Sequence, residues 1–411
     1  MMQETPKGDR LHIALFGRRN AGKSSMINAL TGQDIALVSD VAGTTTDPVY
    51  KAMELLPVGP VMFIDTAGID DVGELGALRV ERTMQVLNKT DLALLVIDPA
   101  TGVGDEEIAL AAVVRERKIP LLAVINKADV SSAPLPDLTQ WGKTLDCPII
   151  VTSAVSGIGI EKLKQAIIQA APDDWEGQPL IGDLLQPGDT VVMVVPIDLA
   201  APKGRLILPQ VQAIRNALDN DAICIVAKER ELRSVIDNMK RPPRLVVTDS
   251  QEFLKVSADT PPDVWLTSFS ILMARHKGDL STLAAGAKAI DDLKPGDSVL
   301  VAEGCTHHRQ ADDIGRVKIP RWLRQRVGGD LDFTWVSGGD FPTDLSRYKL
   351  IIHCGSCMLN RRQMVYRLSV AREQNIPIVN YGVLIAWLHG ILPRALRPFP
   401  LAASLFTDEQ P

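Results

Sequence analysis

Apolar residues along this chain gather in short, nearly unbroken runs separated by polar turns. "LHIALF" at 11–16, "VMFI" at 61–64, "LLAVI" at 121–125 and "IIV" at 149–151 have strand length, and "SSMINALTG" at 24–32 has helical length and ends on a glycine. A Pro/Gly/Asp-rich stretch, "APDDWEGQPLIGDLLQPGD", then interrupts the pattern and reads as a linker. Beyond it "TVVMVVPI", "AICIVA" and "RLVVTD" alternate with the helical stretches "PQVQAIRNALDN" and "KERELRSVIDNM". From residue 263 onward "VWLTSFS", "SVLVAEGC", "FTWVSGG", "KLIIHCGSC" and "IPIVNYGVLI" read as strands, with "RQMVYRLSVAREQN" as a helix between the last two. Strands alternating with helices predict an α/β protein with mainly parallel sheets. The expectation is a nucleotide-binding domain over 1–172, followed by two smaller α/β, Rossmann-like domains over 173–262 and 263–411. "LKPGDSVLVAE" echoes "LQPGDTVVMVV", so one strand-entry turn is used twice or an old duplication is visible.

Composition narrows the function classes. The 411 residues are 46% hydrophobic and 23% charged, which describes an ordinary globular protein of several domains. A net charge of −6 gives no global pull toward nucleic acid or anionic membrane. The polar start "MMQETPKGDR" lacks the apolar core of a signal peptide, and the longest apolar stretch, "YGVLIAWLHGIL", is too short to span a bilayer. The expectation is a cytoplasmic protein whose five cysteines are reduced, catalytic or metal-bound.

The first run enters "GRRNAGKSS", in which Gly17, Gly22, Lys23 and Ser24 have phosphate-loop spacing. Backbone N–H groups wrap the phosphates, Lys23 reaches the β- and γ-phosphates, and Ser24 ligates Mg²⁺; Ala21 and Ser25 complete the loop. Asp65 ends the second run in "DTAG", where its carboxylate can hold the Mg²⁺ shell and the Gly68 N–H can meet the γ-phosphate. Asn126, Lys127 and Asp129 end the third, and a carboxylate there accepts two N–H bonds from guanine, selecting GTP over ATP. Ser153 and Ala154 match the loop that closes over the base. This series, over about residues 8–172, resembles the small translation-factor-like GTPases. The segment "VAGTTTDPV" resembles the G-T-T-x-D switch of the branch that modifies tRNA and assembles ribosomes, with Thr44, Thr45 and Thr46 as candidates and Thr45 favoured for Mg²⁺ and γ-phosphate. Ile69 stands where Ras-like proteins carry a water-orienting glutamine. Asn20 matches the position that ligates K⁺ in the resembling branch. Slow, potassium-stimulated hydrolysis follows.

The middle segment carries no catalytic motif and suggests a dimerisation module acting through an unpaired edge strand or a helix face. Cys224 reads as a small core residue.

The last domain places Cys305, His307 and His308 after one strand, and His353, Cys354 and Cys357 after another. Carboxyl ends of neighbouring strands in an open α/β sheet meet at one crevice. Three thiolates with histidines suit either structural zinc or an iron–sulfur cluster with one iron not held by cysteine. Cys-x-His followed at long distance by His-Cys-x-x-Cys, downstream of a GTPase of this branch, resembles the maturation GTPases of iron-iron hydrogenases, the HydF family, over essentially the whole chain. The resemblance implies a scaffold that binds a 4Fe-4S cluster through Cys305, Cys354 and Cys357. It would receive a diiron precursor from radical-SAM enzymes and pass it to apo-hydrogenase. His307 and His353 match motif histidines, and the fourth ligand is either histidine, a carboxylate such as Glu303 or Asp312, or an exogenous group. His308 matches no motif position. The resemblance further implies a homodimer, or a tetramer of two, with no membrane or nucleic-acid partner. The alternative is a GTPase of RNA modification or ribosome assembly with a structural metal domain.

Overall fold

The computed structural model describes residues 5–32, 48–69, 82–130, 138–197, 206–304 and 313–406. The chain divides into two compact units, Met1–Glu176 and Gly177–Pro411.

The first unit is built on six strands: β1 (Leu11–Phe16), β2 (Val49–Leu55), β3 (Gly59–Asp65), β4 (Leu92–Ile97), β5 (Leu121–Ile125) and β6 (Ile149–Val151), in the order β2-β3-β1-β4-β5-β6. All pairings are parallel except the β2–β3 hairpin, where Val49 lies opposite Asp65. Strands covered on both faces must be apolar throughout, and every residue of β1 and β4 is buried. Leu11, Ile13 and Leu15 feed the core on one face, Ala14 and Phe16 that on the other. The helix Lys23–Thr31 starts after Gly22 (φ 95°) and stops at Gly32 (φ 65°), whose N–H returns to the Asn28 carbonyl. Leu15 is in register with Asp65, so the β1 loop and the end of β3 share one sheet edge.

The second unit holds two four-stranded, all-parallel sheets. One comprises β7 (Thr190–Val194), β8 (Ile223–Ala227), β9 (Leu245–Thr248) and β10 (Trp265–Ser268), in the order β10-β9-β7-β8. The other comprises β11 (Ser298–Glu303), β12 (Asp332–Ser337), β13 (Leu350–His353) and β14 (Ile378–Asn380), in the order β12-β11-β13-β14. Numbered within each sheet, both orders are 2-1-3-4. Their entry turns agree as well. Asp189 Oδ2 accepts from the Gln186 N–H at 2.9 Å, and Asp297 Oδ2 accepts from the Lys294 N–H at 2.8 Å. Gly188 (φ 83°) and Gly296 (φ 90°) directly precede these aspartates, and their N–H groups donate to the carbonyls of Asp221 and Asp330 respectively. The echo between the two Pro-Gly-Asp phrases is therefore one architecture built twice.

Two expectations are corrected. The "VWLTSFS" strand pairs with β9 and completes the first of these sheets, so a boundary at 262/263 cuts through it. Of "IPIVNYGVLI" only Ile378–Asn380 is strand. Asn380 Oδ1 accepts from the N–H groups of Gly382 and Val383, and this cap starts a helix over Tyr381–Leu388. One apolar core runs through both sheets, from Leu180 to Phe406. Among the described residues no helix is long and apolar enough to cross a membrane.

Candidate functional site

The phosphate loop turns at the carboxyl end of β1. Gly17 (φ 147°) must be glycine, because a Cβ there would lie 2.2 Å from the Val96 carbonyl oxygen. Asn20 (φ 60°) and Gly22 (φ 95°) occupy the left-handed region that shapes a phosphate nest. Asn20 is exposed, Ala21 buried and Ser25 half-buried. Lys23 is 8% exposed, and its Nζ donates to the carbonyls of Gly17 and Arg18, both at 2.9 Å. Ser24 Oγ donates to Asp65 Oδ2 at 2.5 Å, bringing together the hydroxyl and carboxylate that the sequence assigns to Mg²⁺. Burial pushes the Asp65 carboxyl up, and the Ser24 hydrogen bond and the Lys23 and Lys51 charges oppose it. After Asp65, Thr66 Oγ1 donates to the Leu15 carbonyl, and the Ile69 N–H reaches Gly17, which brings the Gly68 segment beside the loop.

The guanine side is tied to the same loop. Asn126 is 2% exposed; its Nδ2 donates to the Ala21 carbonyl and its Oδ1 accepts from the Ala154 N–H, both at 3.0 Å. One side chain thus joins three loops. Lys127 (φ 60°) pairs with Asp98 at 2.7 Å, Asp129 is exposed, and Ser153 is buried, its Oγ accepting from the Ser156 N–H. Burial alone would raise the Asp98 carboxyl, but the Lys127 hydrogen bond, the Ala100 N–H and the lysine charge outweigh it and hold it below the usual range. The sequence reading missed Asp98, and also Arg18. Arg18 Nε and Nη2 donate to Glu107 at 2.8 and 2.9 Å, fixing the second residue of the phosphate loop to the start of the helix Asp105–Glu116. Thr44, Thr45 and Thr46 lie outside the described residues.

The second site lies at the carboxyl ends of β11 and β13, where strand order reverses and an open α/β sheet forms its crevice. Cys354 directly follows β13, and its N–H donates to the Ala302 carbonyl of β11. Its Sγ accepts from the N–H groups of Gly304 at 3.0 Å and Ser356 at 3.4 Å. Burial raises the thiol, and these two donors work against it, favouring the thiolate. Cys357 is half-buried against the core, three residues on. Glu303 is 5% exposed at the end of β11, with Arg316 at 3.6 Å and the Tyr381 hydroxyl at 3.5 Å.

His353, one of the candidates for the fourth ligand, has both ring nitrogens engaged. It is wholly buried, Nε2 accepts from Arg367 at 2.8 Å, and Nδ1 faces the Cys354 carbonyl at 2.9 Å and Ser356 Oγ at 3.1 Å. A guanidinium only donates, so Nε2 is the acceptor and Nδ1 carries the proton. Both ring nitrogens are occupied in shaping the cysteine turn, and burial together with the Arg367 charge lowers the imidazole pKa to about 3. Cys305, His307, His308 and Asp312 lie outside the described residues, among which no three donors are gathered tightly enough to hold a metal ion. Cys147 and Cys224 are half-buried with thiols raised by burial, Cys147 to about 11, as inert core residues should be.

Comparison with known proteins follows this division. Residues 12–127 match the model of a 50S ribosome-binding GTPase, 180–278 the hydrogen maturase F dimerization domain, and 281–398 the hydrogen maturase F tetramerization domain. GTPase Der of Kosmotoga olearia is 33% identical over 174 residues, covering 40% of this chain and 39% of that protein. The tRNA modification GTPase MnmE of Nitrosomonas europaea is 36% identical over 162 residues, covering 39% and 35%. The chain thus spans little more than a third of the length of these relatives. Among solved structures, Era of Aquifex aeolicus aligns at 20% identity and a TM-score of 0.37, over 61% of this chain and 99% of that one. The FeoB G-domain of Methanococcus jannaschii aligns at 26% identity and 0.31, over 39% and 97%. The two hydrogen maturase F models together cover more than half of the 411 residues and lie behind a GTPase domain, and the chain belongs to the hydrogen maturase F family of GTPases.

Proposed function

We propose that this protein is a GTP-hydrolysing scaffold that takes up a diiron precursor and delivers it to apo iron-iron hydrogenase. The observation that carries the reading is the Cys354 turn: a sulfur at the sheet's topological switch point, accepting two backbone N–H bonds. Backbone N–H bonds to sulfur tune iron–sulfur sites, so the donor set fits the group that the family implies. Cys305, Cys354 and Cys357 hold a 4Fe-4S cluster, which supplies one iron without a cysteine ligand. His353 keeps the turn in place, and Glu303 ends β11 directly before Gly304, whose N–H donates to Cys354 Sγ. The diiron unit is cargo, received from radical-SAM maturation enzymes.

In the first unit, Gly17 to Ser25 bind the phosphates of GTP, Ser24, Asp65 and Thr45 serve Mg²⁺, and Asn126 with Asp129 selects guanine. Asn20 binds K⁺, which takes the place of an arginine finger in stabilising transition-state charge, while Ile69 stands in place of the water-orienting glutamine. GTP should turn over slowly and faster in K⁺ than in Na⁺; equal rates would remove the Asn20 assignment. Lys23→Ala should abolish hydrolysis and leave cluster content unchanged.

Oligomers form through the edge strand β8, where Ile223 and Val226 are 55% and 48% exposed on an unpaired rim. The match of residues 180–278 to a dimerization domain supports this placing. Val226→Glu should lower the mass measured by light scattering.

The deciding experiment is anaerobic purification followed by EPR spectroscopy and incubation with apo-hydrogenase. Protein co-expressed with the radical-SAM enzymes should evoke hydrogen evolution, and Cys→Ser at 305, 354 or 357 should abolish it. A colourless, zinc-loaded protein would favour instead a GTPase of RNA modification or ribosome assembly with a structural metal domain.

A further inference from the structure

Arg367 is the largest fully buried side chain among the described residues. It projects from the helix Arg361–Glu373 against the ring of Phe341, 5.1 Å from the centroid. Nη1 donates to His353 Nε2 at 2.8 Å, and Nη2 donates to the carbonyls of Gly338 at 2.6 Å and Asp340 at 3.4 Å. Nε is buried with no hydrogen-bond partner among the described residues. Every bond that it makes is to a neutral group.

A guanidinium stays charged inside a protein, and a buried ion without a counter-ion costs several kcal/mol. Asp340 offers a backbone carbonyl but is exposed and forms no ion pair with Arg367. The His353 ring that receives Nη1 meets the Cys354 carbonyl at 2.9 Å and Ser356 Oγ at 3.1 Å with its other nitrogen, so the guanidinium stands one imidazole away from the cysteine turn. Metal ligation requires the thiolate. A cysteine turn with a metal–sulfur cluster presents negative charge beside Arg367, and without one it does not.

We propose that Arg367 is the fixed counter-charge of the cysteine turn, held by His353 and two carbonyls so that its positive charge compensates the thiolate-ligated cluster. The inference rests on the iron–sulfur reading above and adds a residue outside the ligand motif. It explains why His353 is spent on an arginine, since the ring hands the guanidinium to the turn while keeping the Cys354 carbonyl in place. It also sets the sign of an electrostatic effect: a nearby positive charge favours the more negative, reduced cluster.

The test uses full-length protein with its 4Fe-4S cluster reconstituted, and the variants Arg367→Met, Arg367→Gln and Arg367→Lys. EPR-monitored titration reads the reduced-to-oxidised ratio at a fixed potential. Both neutral variants should show a ratio at least tenfold lower than wild type, about 59 mV for a one-electron couple, and lysine should stay within about threefold. Thermal melting gives a second readout: relief of the buried charge offsets the three hydrogen bonds lost, so the cluster-free variants should stay folded, while the rise that cluster binding produces should shrink. Unchanged potentials in Met and Gln, or a lysine variant shifted as far as they are, would overturn the counter-charge. Loss of folding in both neutral cluster-free variants would overturn it too, by assigning Arg367 to the fold. Wild-type protein that takes up no cluster would instead overturn the iron–sulfur reading itself, and the inference with it.

Discussion

Replacing Glu107 by glutamine should loosen the phosphate loop from a position that touches no nucleotide. The carboxylate is 1% exposed and accepts three N–H bonds, from Arg18 Nε at 2.8 Å, Arg18 Nη2 at 2.9 Å and Gly104 at 2.9 Å. Glutamine keeps one acceptor oxygen and turns an NH₂ toward donors, so at least one charge-assisted bond is lost and a second weakened. Such bonds contribute about 1.5–3 kcal/mol each. Arg18 is 24% exposed and pairs also with the more open Glu106 at 2.6 Å, so water and that second carboxylate offset part of the loss. A net cost of about 2 kcal/mol remains. For a domain of this size that lowers the melting midpoint by about 4–8 °C. The effect should reach the nucleotide, because Lys23 Nζ rests on the Arg18 carbonyl. Scanning calorimetry of the full chain would follow the transition that guanine nucleotide raises, and fluorescent GTP would give the affinity, expected to fall several-fold. A shift under about 1 °C with unchanged affinity would show that the pair is no stronger than an exposed ion pair and refute the reasoning.

Gly22→Ala should weaken GTP binding at least tenfold in the same titration, since the new Cβ would stand 2.2 Å from Asn126 Nδ2 on a backbone at φ 95°. Asp98→Asn should flatten the acid limb of first-unit stability. The lowered carboxyl contributes fully above its ordinary value near pH 4, and that contribution is lost as pH falls through the lowered value; urea melts at pH 7, 4 and 3 would show the difference. Gly315→Ala should destabilise the second unit by roughly 1–3 kcal/mol, because its Cβ would lie 2.1 Å from the Tyr381 hydroxyl and 2.9 Å from Glu303 Oε1; denaturant melts would measure it.

What the sequence made legible was short-range. Gly17, Gly22, Lys23 and Ser24 announce their geometry within eight positions, because a phosphate loop is fixed by local backbone. The Cys354 turn is equally local. Contacts between distant positions were not legible: Arg18 finds Glu107 across 89 residues, and nothing in "GRRNAG" names that partner. Arg367 reads as one more arginine of a polar helix, and only burial separates it from its neighbours. The strand reading of "YGVLI" failed because a run that is apolar throughout fits a buried helix as well as a strand. Asn380, a residue that caps helices, was the available signal. The domain boundary before "VWLTSFS" falls in the wrong place because strand length says nothing about which strand it pairs with.

The apolar core shared by the two parallel sheets decides how this protein can be divided. A cut between residues 262 and 263 strips β10 from β9, bares a parallel edge, and separates Phe253 and Val256 from Phe269 and Leu272 across a common interior. Each piece exposes apolar residues of that interior, so fragments ending there should be poorly soluble, whereas 177–411 keeps the shared core whole and should melt in one transition. The surface expected to join subunits and the turn expected to carry sulfur ligands are therefore inherited, expressed and lost together.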